Sequence, residues 1–241
     1  MREQIILGKW TREKLDDLLK ESSAINDTGK RIDFLSGKFL GVEYRESTLI
    51  GDINTPEIFV INFEGVDCFT FLDHIEAMNL SKSFSEFKEN LKKVRYQSGK
   101  VVYENRNHFF ADWIEFNSDL VEEATEYVCA GKSHHVKKIL NQTNDKRYFL
   151  PGIPCREREI VYIPSGDVDT VVIEKLKTGD YIGIYSEKPG LDVSHVGIVI
   201  KVEEKVKLRH ASSSAKYRKV VDEDFRKYIK DKPGIIVLRP M

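Results

Sequence analysis

The stretch Val66-Asp67-Cys68-Phe69-Thr70-Phe71 decides the fold, because it places a thiol where a buried helix begins. Downstream of Cys68, apolar side chains recur with the spacing of one helix face, at Phe71, Leu72, Ile75 and Met78. Asp67 stands where a capping residue is expected. Upstream, residues 58–63 form an apolar run typical of a buried strand. The stretch therefore predicts a strand, a turn and a helix that starts at Cys68.

Two further stretches, Val193-Ser194-His195-Val196-Gly197-Ile198 and Arg209-His210-Ala211-Ser212, each carry a histidine on a predicted strand. If Glu203-Glu204 is a two-residue turn between these strands, residue 197 lies opposite residue 210. Side chains alternate along a strand with a period of two, so His195 shares a face with residue 197. His210 then lies diagonal to His195, at roughly 7–8 Å between Cα atoms. A longer turn would shift this register and separate the two imidazoles.

A thiol and two imidazoles are the components of a cysteine hydrolase. Such a mechanism needs a thiolate nucleophile, a base and a group that orients the base. A helix start and a nearby imidazolium both lower the pKa of a thiol, whereas the charge of Asp67 would oppose that shift. A buried cysteine or a strand histidine that stands alone is most often structural. The combination of all three favours Cys68 as the nucleophile, His195 as the base and His210 as its orienter.

The rest of the chain predicts an α+β fold, with helices first and strands later. Helices are predicted over residues 11–25, 29–39, 84–97 and 113–129, and strands over 180–186, 195–202, 206–211 and 235–238. The polar, proline-containing span 130–165 predicts an elaborated loop region.

We expect a single catalytic domain over residues 1–241. Its parts are a helical N-terminal part with the substrate loop (1–60), the nucleophile helix region (61–100), an insertion with a substrate-recognition segment (101–165) and a strand-rich part with both catalytic histidines (166–241).

Composition narrows the function classes. A hydrophobic content of 41% allows a buried core, and a net charge of −1 gives no general attraction to nucleic acid or anionic membranes. No apolar run approaches the roughly 18 residues of a membrane-spanning helix, so no membrane insertion is expected. The N-terminus lacks the apolar core of a signal peptide. We therefore expect a protein of the cell envelope or periplasm if a signal peptide was removed, and a cytoplasmic protein otherwise.

The remaining cysteines and histidines are expected to be structural. The three cysteines are odd in number and far apart, which favours reduced thiols over a disulfide framework. Cys129 and Cys155 are interpreted as ordinary core residues. His134 and His135 lie in a lysine-rich stretch up to Lys138, which predicts a solvated face.

The motifs resemble the NlpC-type cell-wall cysteine peptidases, a papain-like superfamily. The resemblance lies in Asp67-Cys68, Ser194-His195-Val196-Gly197 and His210-Ala211. Further segments are similar to one branch, the N-acetylmuramoyl-L-alanine amidase-like family; they are residues 39–44, 47–49, 106–113, 179–180, 190–195 and 234–240. The likeness runs from residue 31 to the end, and Glu43 departs from the family pattern.

The resemblance implies a papain-like NlpC-type fold, with helices packed on a mainly antiparallel sheet and with helical and loop insertions. It implies hydrolysis of the amide between N-acetylmuramic acid and L-alanine in peptidoglycan fragments, with no metal and no other cofactor. It also implies that Tyr44 contacts the substrate or the oxyanion.

A substrate-recognition role is further expected for a short polar and aromatic segment, Arg106, His108, Asp112 and Trp113. The alternative interpretation is a buried ion pair between Arg106 and Asp112 that fixes a loop.

Three alternative functions stay open at this point. The same centre would serve an endopeptidase that cuts the stem peptide between its amino acids. A catalytically silent module that binds muropeptides predicts an unreactive Cys68. A zinc site built from Cys68, His195 and His210 lacks a fourth ligand.

Overall fold

The structure, a computed structural model, describes residues 2–129 and 131–241 and is an α+β fold. Its α-helices are α1 (Arg12–Ser23), α2 (Thr28–Gly37), α3 (Cys68–Asn79), α4 (Phe84–Arg95), α5 (Phe110–Phe116), α6 (Thr125–Cys129), α7 (Thr170–Lys175) and α8 (Phe225–Ile229). Its strands are β1 (Glu3–Ile6), β2 (Glu43–Tyr44), β3 (Phe59–Asn62), β4 (Gly65–Val66), β5 (Val121–Glu123), β6 (His134–Leu140), β7 (Arg156–Pro164), β8 (Tyr181–Tyr185), β9 (Val193–Val202), β10 (Lys205–Ser212), β11 (Lys219–Asp224) and β12 (Gly234–Pro240). The predicted α+β class is confirmed.

The chain divides into two compact units. The first unit comprises Met1–Arg106 and Arg209–Asp222, and the second comprises Asn107–Leu208 and Glu223–Met241. The expectation of one catalytic domain over the whole chain stays a prediction. Within the described ranges, no helix is both long enough and apolar enough to cross a bilayer.

The first unit is built around α3. Residues 70–79 of this helix are buried throughout, and α1, α2 and α4 pack near it with buried apolar side chains such as Leu15, Leu35 and Leu91. Each of α1–α4 starts at a side-chain cap, which satisfies an amide of the first helical turn. The predicted helix start at Cys68 is confirmed.

The strands of the first unit form two groups. Strands β1 and β3 make a parallel pair, with Glu3 opposite Phe59. Strand β2 pairs in parallel with β4 and in antiparallel orientation with β11, next to which β10 lies. This arrangement places β2 beside the strand that leads directly into Cys68.

A polar side chain, His74, is enclosed in the aromatic core behind α3. Its ring lies 5.3 Å from that of Phe63 and 5.9 Å from that of Phe87, measured between centroids. Its Nδ1 atom is 2.6 Å from the carbonyl oxygen of Thr70. Burial, reinforced by the charge of Arg95, lowers the pKa of His74 to about 3, so the imidazole is neutral near pH 7.

We therefore expect acid to destabilise the protein through His74. In the unfolded chain this histidine binds a proton near pH 6.5, whereas in the folded protein its pKa is about 3. Its contribution to the free energy of unfolding is complete above pH 6.5 and falls by up to about 1.4 kcal/mol per pH unit below it. Chemical unfolding of the wild type and of His74→Leu between pH 7.5 and pH 4 measures this slope.

Comparing the wild type with His74→Leu also cancels the contribution of Asp73 to the pH dependence of stability, which is opposite in sign to that of His74. Burial raises the pKa of the neighbouring Asp73 to about 6, despite its ion pair with Arg95, and this shift favours the folded state as the pH falls. Asp73 is present in both proteins, so its effect cancels in the difference between them. The variant loses a hydrogen bond worth about 1 kcal/mol at neutral pH. Parallel pH profiles for the two proteins would contradict the prediction.

The second unit is a layered arrangement of antiparallel strands and short helices. Its strand order is β9-β8-β12-β7-β6, and β5 pairs with the end of β12. Apolar side chains from β8, β9 and β12 pack with those of α6, α7 and α8 in one core, including Ile182, Val199, Phe225 and Val237. The four strands predicted in the last third of the sequence are confirmed.

Two predictions about the middle of the chain are wrong. Residues 113–129 are not one helix, because α5 ends at Phe116, β5 pairs Glu123 with Leu238, and a separate short helix, α6, follows. The span 130–165 is not a loop region, because its described part contains the paired strands β6 and β7. Strand β11 was also not predicted. Strands β5 and β11 depend on pairing with distant residues, in β12 and β2. Strands β6 and β7 pair with each other, and their many charged side chains hide the apolar alternation.

Candidate active site

Cys68 is the first residue of α3, and its reduced thiol is only partly buried. The helix is fixed at this end by a reciprocal cap. Asp67 Oδ1 accepts the backbone N–H of Thr70 at 2.7 Å, and Thr70 Oγ1 accepts the N–H of Asp67 at 3.0 Å. The thiol therefore stands at the positive end of a helix, where partial charges favour a thiolate. Asp67 performs the capping role that the sequence assigned to it.

Tyr44 lies beside Cys68. Tyr44, on β2, pairs with Val66 of β4. Val66 precedes Cys68 by two residues in the chain. Burial, together with the nearby charges of Cys68 and Asp67, raises the pKa of the Tyr44 phenol. The guanidinium of Arg218 lies 4.8 Å from the centroid of the tyrosine ring. Tyr44 is thus a protonated hydrogen-bond donor near the thiol, and the structure brings these two predicted site residues together.

His210 is buried on β10, in the first unit, and its strand is held by the residue before it. Arg209 donates to both carboxylate oxygens of Asp222, at 2.7 and 3.1 Å, and to Asp33 Oδ1 at 2.8 Å. The same guanidinium donates to Ser36 Oγ at 2.9 Å. Consecutive side chains of a strand point to opposite faces, so this network fixes β10 from the face that His210 does not use.

His195 lies on β9, in the second unit, and is partly buried. It pairs with Ile184 of β8, and its ring centroid is 6.1 Å from that of Tyr228. The register changes directly before it, since Tyr185 pairs with Val193. Ser194 is therefore the extra residue of a β-bulge. Bulges re-aim neighbouring side chains and are frequent beside active sites.

The turn required by the sequence argument is present. Strand β9 ends at Val202 and β10 begins at Lys205, so Glu203 and Glu204 form a two-residue turn. Glu203 has a φ of 52°, in the left-handed region that tight hairpins use. The diagonal placement of His195 and His210 stays a prediction.

Arg106 forms an ion pair with Glu57, not with Asp112 as the alternative interpretation of the sequence expected. It donates to both carboxylate oxygens of Glu57, at 3.2 and 2.5 Å, and to the Gly51 carbonyl at 3.4 Å. Tyr96 also donates to Glu57, at 2.7 Å. Arg106 thus holds the loop that ends at Glu57, in the first unit. The predicted ion pair that fixes a loop is therefore present, but the prediction of Asp112 as the partner is wrong.

The other members of the predicted recognition segment belong to the second unit. Asp112 is buried and accepts the backbone N–H groups of His108 and Phe109, both at 3.0 Å, so its carboxylate organises the start of α5. Trp113 is 0% exposed and packs edge-on against Tyr181, with ring centroids 5.5 Å apart. A fully enclosed indole is a core residue, so we withdraw Trp113 as a substrate contact. His108 is only partly buried.

Asp192 was not singled out from the sequence, although it directly precedes β9. It is buried and accepts the backbone N–H groups of Ala111 and Val193, each at 2.7 Å. Burial raises its pKa to about 6. The carboxylate therefore ties the first turn of α5 to the start of the strand that carries His195. The sequence signals that point to it are its short spacing from His195 and its place in the segment 190–195, which is similar to the amidase-like family.

Metal ligation finds no support in the arrangement of side chains. Across residues 2–129 and 131–241, no group of three or more His, Cys, Asp and Glu side chains is placed to hold a metal ion. The described residues therefore give no support to the alternative of a zinc site.

Comparison with known proteins assigns the family. The profile of the AmiA-like family, described as N-acetylmuramoyl-L-alanine amidase-like, matches residues 34–235, and the chain belongs to this family. No curated protein matches the chain.

Solved structures agree with the assignment. An N-acetylmuramoyl-L-alanine amidase from Bacteroides uniformis ATCC 8492 is 30% identical, with a TM-score of 0.76 over 89% of this chain and 99% of that chain. A protein from Legionella pneumophila str. Philadelphia 1, of the family DUF1460, is 22% identical, with a TM-score of 0.81 over 95% of this chain and 94% of that chain. The second likeness shows the fold alone.

Proposed function

We propose that the protein is a cysteine-dependent N-acetylmuramoyl-L-alanine amidase with a papain-like NlpC-type fold. The observation that carries this proposal is the partly exposed thiol of Cys68 at the capped start of a buried helix, in a chain of the amidase-like family. Membership of this family implies peptidoglycan fragments as the substrate. We further propose that the whole chain acts as one catalytic domain.

In the proposed reaction, Cys68 Sγ attacks the carbonyl carbon of the lactyl group of N-acetylmuramic acid. His195 removes the thiol proton and returns it to the leaving amine of L-alanine, so the C–N bond breaks and a thioester forms. Water, deprotonated by His195, then attacks the thioester. The C–S bond then breaks, the sugar leaves as its lactyl carboxylic acid, and His195 returns its proton to the Cys68 sulfur. The released acid ionises in solution. His210 orients the ring of His195 throughout.

The surrounding side chains have more specific proposed roles. Tyr44 lies close to Cys68 and keeps its phenolic proton, so it is suited to donate to the developing oxyanion or to the substrate. Arg106 acts indirectly, through the loop that it ties at Gly51 and Glu57. His108, partly buried, stays a candidate for substrate contact.

The bond that is cut is tested with defined muropeptides and mass spectrometry. We expect cleavage only when the sugar is present, because the scissile amide joins the sugar to the peptide. The products are a free lactyl sugar acid and a peptide with a free L-alanine amine. The isolated stem peptide, at the same concentration, should stay intact.

Each alternative gives a different result in the same experiment. Equal cleavage of the bare stem peptide would replace the amidase by an endopeptidase. Intact muropeptides that nevertheless bind the protein would favour the silent binding module. Activity that disappears after dialysis against a chelator, and returns with zinc, would restore the metal alternative.

A further inference from the structure

Lys138 is a buried lysine, although the sequence predicted a solvated face for its stretch. It lies on β6 and is 9% exposed. Its ammonium donates to three backbone carbonyls, those of Ser186, of Lys188 at 2.9 Å and of Leu191 at 2.6 Å. These acceptors all belong to the connection between β8 and β9. One side chain thus holds a single segment at three points.

The environment of Lys138 is that of a structural cation. Its Nζ atom lies 5.0 Å from the ring centroid of Tyr185, which is itself stacked on Tyr162 at 3.8 Å. Burial lowers the pKa of the ammonium. All three hydrogen-bond acceptors are carbonyls, and an ammonium is the side-chain group with three donors on one atom. A shorter or neutral side chain at this position would remove the donor from these three carbonyls, of which that of Ser186 is buried.

The segment held by Lys138 is also held by backbone hydrogen bonds, at its two ends and at Gly190. The Ser186 N–H donates to the Asp192 carbonyl at 2.9 Å, and the Asn141 N–H donates to the Gly190 carbonyl at 2.8 Å. Gly190 has a φ of +81°, and a Cβ atom there would approach the Gln142 carbonyl oxygen to 2.6 Å. These hydrogen bonds tie the two ends of the segment to each other and tie Gly190 to the residue after β6. The positive φ and the close approach at Gly190 favour glycine there.

The segment of residues 186–192 leads directly into the first residues of β9. The segment ends at Asp192, and the bulge at Ser194 follows, immediately before His195. A bulge converts a small shift of the incoming chain into a change in side-chain direction. The direction of the His195 side chain therefore depends on the position of residues 186–192.

We propose that Lys138 is a positioning residue for His195, acting through the three carbonyls of the β8–β9 connection and the bulge at Ser194. The proposal rests on the proposed function, in which His195 is the base. A base must meet its partner within hydrogen-bond reach, and a displacement of about 1 Å costs up to 100-fold in rate.

The test compares Lys138→Met with Lys137→Met. Methionine keeps an unbranched side chain, one heavy atom shorter, and provides no donor. Lys137 is the matched control, since it directly precedes Lys138 on the same strand, its side chain is 76% exposed and its ammonium lies 4.0 Å from Glu157. In Lys138→Met we expect kcat for muropeptide hydrolysis to fall about 10-fold or more, with KM within about twofold. The control should match the wild type.

Two readouts do not require activity. Hydrogen exchange of the amides in residues 186–195 should accelerate in Lys138→Met and not in Lys137→Met. The ring resonances of His195 in NMR spectra should move only in the first variant. If the wild type proves not to be an amidase, these two measurements still decide whether Lys138 controls His195.

A second variant covers the case in which Lys138→Met does not fold. Lys138→Arg keeps a positive charge and several donors in a different geometry, so we expect a smaller loss of kcat with faster exchange confined to residues 186–195. Unchanged exchange and unchanged kcat in both variants would overturn the proposal. Faster exchange throughout the second unit would also overturn it, since Lys138 would then be a general stability residue.

Discussion

Cys68→Ala is expected to lower kcat/KM for muropeptide hydrolysis by about 10⁴-fold or more, because no other group replaces the attacking sulfur. The fold should survive. The substitution removes one partly buried atom, and the cap between Asp67 and Thr70 does not involve the thiol. We expect a change in the free energy of unfolding within about 1 kcal/mol. Steady-state kinetics and thermal unfolding of the variant measure both quantities.

The other two thiols provide the controls. Cys155 is partly buried, like Cys68, whereas Cys129 is buried and its thiol donates to the Glu126 carbonyl. Cys155→Ala should keep full activity. Iodoacetamide should label Cys68 in the folded protein faster than either of the others, because a helix start favours the thiolate. Equal labelling rates, or an active Cys68→Ala variant, would refute the nucleophile assignment.

His195→Ala is expected to reduce kcat by about 10³-fold or more, since it removes the group that carries the proton in both half-reactions. His210→Ala should cost less, because an orienting group improves the alignment of the base without transferring the proton itself. The rates of the two variants at several pH values test this order. The double variant should be little worse than His195→Ala, since the two residues act as a unit.

An exposed histidine serves as the control for this second prediction. His135 lies on β6 and contacts the exposed Glu126 at 3.0 Å. His135→Ala should leave the kinetics unchanged. A loss in His210→Ala as large as that in His195→Ala, with both proteins folded, would indicate that the roles of the two histidines must be reassigned.

Local signals in the sequence predicted the parts of the fold that local chemistry determines. The start of α3 follows from Asp67 and Thr70, which satisfy the first amides of the helix without help from elsewhere. The turn at Glu203 follows from the strands on either side of it. By contrast, β5 exists because it pairs with β12, more than one hundred residues later in the chain. Periodicity does not reveal such a pairing and predicts one helix over residues 113–129.

Local signals and tertiary contacts divide the candidate site in the same way. Residue types and spacing singled out Cys68, His195 and His210, and the resemblance added Tyr44, which lies beside Cys68. The burial of Trp113 depends on its packing against Tyr181, and the partner of Arg106 is a glutamate far away in the chain. Lys138 reads as a surface residue until its three carbonyl acceptors are known. Contacts of this kind come from tertiary structure alone.

The enclosed indole of Trp113 has an experimental consequence. The chain has two tryptophans, Trp10 in the first unit and Trp113 in the second. Trp113 is shielded from water, whereas Trp10 is partly exposed beside Lys9, so we expect their intrinsic fluorescence to differ in the folded state. The Trp10→Phe variant keeps only the tryptophan of the second unit, and the Trp113→Phe variant keeps only that of the first. Their denaturation curves would show whether the two halves of this molecule melt in one cooperative step or in succession.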